Sequence, residues 1–64
     1  MRFVVKATGL TGNVNWLSAP DPEGVRSLVP REMADVFQTE AEAHVAIAKM
    51  PHAFKGIIFS VEKD

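Results

Sequence analysis

Glu40 and His44 stand four residues apart in "TEAEAH". On a helix that spacing sets a carboxylate and an imidazole one turn apart on the same face. Two such groups can share a metal ion, which then needs two further ligands. His52 stands eight residues beyond His44, about two helical turns away. No H-E-x-x-H pattern occurs, and the chain has no cysteine to supply a thiolate ligand or a disulfide. An exposed helical histidine beside an i,i+4 acid is the simpler account of the pair. His52 follows Pro51, where an imidazolium would complement a helix C-terminus.

Nucleophilic chemistry finds no better footing. Ser18, Ser27 and Ser60 lie in no G-x-S-x-G elbow, and no spacing ties them to a base. "GLTGN" at residues 9–13 has the glycines of a phosphate loop without its lysine or its strand-to-helix setting. It reads as a turn. A chain of 64 residues also has little room for a deep pocket. Nothing specifies a reaction, a cofactor or a metal, and the expectation is a non-enzymatic protein.

The elements that would position any site are clearer. At this length the chain reads as one domain, residues 1–64. Its hydrophobic fraction of 47 % is too high for a disordered chain. Residues 2–7, "RFVVKA", alternate with period two and read as a strand. "TGLTG" supplies two glycines for a turn, and "NVNWLS" resumes an extended pattern, so a hairpin is expected. Pro20, Pro22 and Gly24 then break the sheet. Residues 25–29 read as a short edge strand or an ordered loop, and Pro30 can open a helical turn. "MADVF", residues 33–37, reads as a short strand leading into the helix.

Thr39 and Glu42 form a T-x-x-E capping box, and Pro51 stops the helix, so it is expected over about residues 40–50. After "PHAFKG", the segment "IIFSVE" at residues 57–62 alternates again and reads as a last, central strand. The fold class is therefore α+β: a single three- or four-stranded, mostly antiparallel sheet in the order ββ[β]αβ, with one helix packed on one face.

One helix covers one face. Ala43, Ala46, Ile47 and Met50 are expected to meet Phe3, Val5, Trp16, Ile57, Phe59 and Val61, with Phe37 and Phe54 closing the ends of the core. Trp16 is placed there as the largest core residue. The opposite face is expected to expose Val4, Leu17 and Ile58, bordered by Arg2, Lys6, Ser60 and Glu62. That face is more apolar than an open antiparallel sheet usually presents. It makes Val4, Leu17, Ile58, Lys6 and Glu62 the candidate interface. Ala41, Val45 and Ala48 form a second, small-residue stripe on the helix, which helix propensity alone explains.

Seven basic and eight acidic residues give a net charge of −1, which argues against a broad nucleic-acid or anionic-membrane footprint. No apolar run approaches the roughly 20 residues of a membrane span, and the N-terminus does not read as a secretory signal. A cytoplasmic location follows. A domain this small buries only about 60 % of its unfolded surface, which leaves a metal, an oligomer or a very well packed monomer as its support. The functional reading is a protein–protein interaction module, with self-association as one form of it. The alternative is a small nucleic-acid-binding or regulatory domain, which would have to gather Arg2, Lys6, Arg26 and Arg31 on one surface.

Overall fold

The computed structural model describes residues 1–50 and 56–64. The sheet has four antiparallel strands: β1 (Phe3–Thr8), β2 (Val14–Leu17), β3 (Leu28–Val29) and β4 (Ile58–Lys63), in the spatial order β3-β2-β1-β4. One helix, α1 (Glu40–Ala48), packs against β1 and β4. A 3-10 turn follows Pro30, at Arg31–Met33. The α+β class and the single helix are as the sequence predicts. His52 and Phe54, read above as a helix cap and a core plug, lie outside the described residues.

The hairpin joins β1 to β2 through Gly9–Asn13, whose ends are tied by Gly9 N donating to Asn13 O at 2.8 Å. Gly12 takes φ +86°, which a side chain would strain. Lys6 pairs with Trp16 and Thr8 with Val14 across this hairpin. The last strand lies at an edge, and β1 takes the centre between β2 and β4. The expectation of a central "IIFSVE" strand is therefore corrected. Its alternation reports a half-buried strand with one covered face, a pattern that an edge position satisfies as well as a central one.

The "MADVF" strand is also corrected. Residues 34–37 make two isolated bridges, Ala34 to Ser18 and Phe37 to Phe3. Phe3 N donates to Phe37 O at 2.9 Å and Phe37 N donates back to Phe3 O at 2.7 Å. Asp35 N donates to Leu17 O at 2.9 Å. The chain thus stitches the ends of β1 and β2 together without forming a ladder.

Thr39 caps α1: its Oγ1 accepts from Glu42 N at 3.1 Å and donates to Glu42 Oε1 at 3.2 Å. Glu40 and Glu42 sit in the first turn, at the positive end of the helix dipole. Apolar residues lie all round α1 rather than in one stripe, so the helix is only weakly amphipathic.

The core gathers Phe3, Val5, Leu17, Phe37, Ala43 and Ala46, with Leu28, Ile47, Met50, Phe59 and Val61 packed against it. Burying each large side chain stabilises the fold by about 1.5–3 kcal/mol. Leu17 is fully buried here, and Trp16 is not part of this cluster. The sequence reading had them the other way round. Pairing with Lys6 puts Trp16 on the outer face, and its neighbour Leu17 must then point at the helix. In a strand of period two, a one-residue difference in assignment exchanges the faces of every side chain.

Candidate functional site

The pairing registers lay out the outer face, the one turned away from α1, row by row. Val14, Thr8 and Ile58 form one row across β2, β1 and β4. Val29, Trp16, Lys6 and Ser60 form the next. Val4 and Glu62 make a third. Arg2 and Asp64 close the face, joined by Asp64 N donating to Arg2 O at 2.9 Å.

Of the five candidate interface residues, four lie on this face and one does not. Leu17 belongs to the core, for the register reason given above. Val4 is on the outer face yet only 1 % exposed, so it is not available to a partner. The Arg31 guanidinium lies over the Trp16 ring, 5.1 Å from its centroid, and Nη2 donates to Asp64 Oδ1. Trp16 is on β2 and Asp64 follows β4, with β1 between them. A side chain that spans from one to the other crosses β1 between Lys6 and Arg2, which is the position of Val4.

Arg2 completes the strap, with Nη2 at 3.0 Å from Asp64 Oδ2. The hydrogen bond from Arg31 holds the Asp64 carboxyl below its ordinary range; partial desolvation opposes this, and the charges of Arg2 and Arg31 reinforce it. Ile58 remains 71 % exposed, and Val14 46 %. Trp16 and Val29 are half-buried beside them. Lys6 and Glu62 flank this patch, and neither has an ion-pair partner among the described residues.

A second surface was only half visible in the sequence. Ala41, Val45 and Ala48 are exposed on α1, as the stripe suggested. In the structure Ala41 and Val45 form one wall of a groove whose other wall is the loop at residues 20–26. Two adjoining hollows run along it, of about 440 and 390 Å³. Pro20, Gly24, Val25 and Met50 line the first, and Ala41, Glu42 and Val45 the second. Arg26, Ala46 and Lys49 line both.

The loop wall is built by Asp21, whose Oδ1 accepts from Glu23 N at 2.8 Å and from Val25 N at 2.9 Å. Gly24, at φ +84°, closes the turn. Arg26 fastens the loop to the body: Nη1 donates to Asp35 Oδ2 at 2.7 Å and to Ser18 O at 2.9 Å, and its guanidinium lies 5.2 Å from the Phe37 centroid. The sequence could not bring residues 20–26 against residues 41–50, because no local pattern encodes that contact.

Of the residues read for metal chemistry, Glu40 and His44 lie on α1 and His52 lies outside the described residues. Among the described residues no group of three or more His, Asp or Glu side chains could hold a metal ion. His44 is exposed on α1. Among the described residues no helix is long and apolar enough to cross a membrane. No family model matches the chain, and no curated protein or solved structure shows significant similarity to it.

Proposed function

We propose that the protein is a small, cytoplasmic, non-enzymatic interaction module that docks through the outer face of its sheet, with a second copy of the chain as its first partner. The observation that carries this reading is the exposed pair Ile58 and Val14, with half-buried Val29 on the same face, left uncovered beyond the Arg31–Trp16 contact. Lys6 and Glu62 support self-association. Opposite charges on one face, both lacking ion-pair partners among the described residues, suit a two-fold contact in which the same surface meets itself.

The nucleic-acid reading draws less support. Arg2 and Arg31 are tied to Asp64, and Arg26 is tied to Asp35 on the helix side of the sheet. The four cations do not gather on one surface: Arg26 lies on the helix side, Arg2 and Arg31 share Asp64 on the outer face, and Lys6 alone has no ion-pair partner among the described residues.

Light scattering over a concentration series tests the reading. The chain is expected to dimerise, and Ile58→Asp to return it to a monomer with unchanged circular dichroism. A photocrosslinking side chain at position 58 separates the two parts of the proposal. Adducts with another protein would keep the docking face and remove the second copy. A strict monomer that forms no adduct from position 58 would overturn both.

A further inference from the structure

The groove between α1 and residues 20–26 is independent of the outer face and has its own chemistry. Its walls are apolar, from Val25, Val45, Ala46 and Met50. Lys49 and Arg26 line both hollows, the charge of Arg26 being paired with Asp35, and the single acid of the lining is Glu42 in the second. Lys49 makes no ion pair or side-chain hydrogen bond among the described residues. Arg26 uses Nη1 for Ser18 and Asp35, and its Nε and Nη2 groups make no hydrogen bond among the described residues. That guanidinium is already held in position by Asp35 and the Phe37 ring, so engaging it costs little further ordering.

The walls also say what kind of molecule fits. An extended peptide would need backbone partners. The mid-helix carbonyls and amides are satisfied within α1, and the turn at residues 21–25 satisfies its own amides: Glu23 N, Gly24 N and Val25 N all donate back to Asp21. A hydrocarbon tail needs no such partners. The groove follows α1 from Ala41 to Met50, a rise of about 13 Å at 1.5 Å per residue. Its volume is within the range of small-molecule sites, about 300–1,000 Å³.

We propose that this groove binds a single-chain carboxylate amphiphile. The aliphatic tail lies along Val25, Val45, Ala46 and Met50, and the carboxylate is taken by Lys49 and the outward N–H groups of Arg26. No covalent step is involved.

Titration of the full chain with decanoate below its micelle concentration, followed by amide NMR shifts, tests the proposal. Shifts are expected at Val25, Arg26, Ala46 and Lys49, with Val14 and Ile58 unmoved. Decanol, which has the same tail and no charge, is expected to bind about ten-fold more weakly, as is decanoate to Lys49→Gln. Lys49 is exposed, so this variant keeps the fold. Val45→Glu, also at an exposed position, sets an anion in the path of the tail and is expected to abolish the shifts. Equal binding of decanol and decanoate, insensitivity to Lys49→Gln, shifts centred on Ile58, or no shifts at all would each overturn the proposal.

Discussion

Two arginines hold the same stretch of chain to opposite sides of the sheet. Arg26 lies over Phe37 and bonds Asp35; Arg31 lies over Trp16 and bonds Asp64. The ring distances are nearly equal, at 5.2 and 5.1 Å. The surroundings differ. The Arg26 side chain is 19 % exposed and its carboxylate partner 27 %, whereas Arg31 is 42 % exposed. Arg26 closes over a core aromatic beside the helix. Arg31 closes over a face that has no second layer. The same pair of contacts thus does two jobs: one arginine seals a core that already exists, and the other reaches from Trp16 to Asp64 across the face that no helix covers. Residues 20–33 wrap the β3 side of the sheet so that each arginine reaches its own face.

The comparison can be broken most sharply at the hydrophobic residues the two faces hold. Leu17→Ala should lose about 2–5 kcal/mol of stability in urea denaturation, because it empties a fully buried site. Ile58→Ala, at a 71 % exposed position, should change stability by no more than about 0.5 kcal/mol. Comparable losses at the two positions would mean that the faces are not assigned as described.

The arginines come next. Arg26→Ala should cost about 1–3 kcal/mol, since it leaves the partly buried Asp35 without its charged donor. Arg31→Ala should cost less in global stability and act locally instead. Trp16 fluorescence should shift to the red and the Val4 amide should exchange faster, while amides on the helix side stay protected. A red shift of the same size in Arg26→Ala would dissolve the distinction.

The smallest effect expected is a pH dependence. Asp64 has its folded pKa lowered, chiefly by the Arg31 hydrogen bond. A depressed carboxylate contributes stability that is present above its unfolded value, near 3.8, and is lost as pH falls through the folded value. The loss therefore begins near pH 4 and is complete only below the folded pKa. Asp64→Asn should lower stability slightly at neutral pH and flatten the acid limb of the stability curve. An unchanged acid limb in that variant would remove Asp64 from the strap.

Much of the architecture was legible in the chain. "RFVVKA" and "IIFSVE" alternate strongly enough to name their strands, and Thr39 with Glu42 marks the helix start to the residue. Pro30 opened the expected helical turn. The site was less legible. Ile58, Lys6 and Glu62 fell on the face predicted for them, because each belongs to a strand whose phase its neighbours define. In β2 the neighbours do not define it: Val14, Trp16 and Leu17 are all apolar, so "VNWL" fits the core in either phase. Val4 was placed on the correct face and given the wrong exposure, since its burial depends on side chains from other segments of the chain.

What the sequence determined by itself was whatever depends on near neighbours: the identity of β1, β2, α1 and β4, the helix cap, the hairpin turn, and the phase of strands with a clear alternation. Tertiary structure alone decided the phase of β2, the edge position of β4, the burial of Val4 and the groove beside α1. Each of those rests on contacts between segments distant in the chain. Side-chain periodicity records which way a residue points, but it holds no information on what another part of the chain will lay over it.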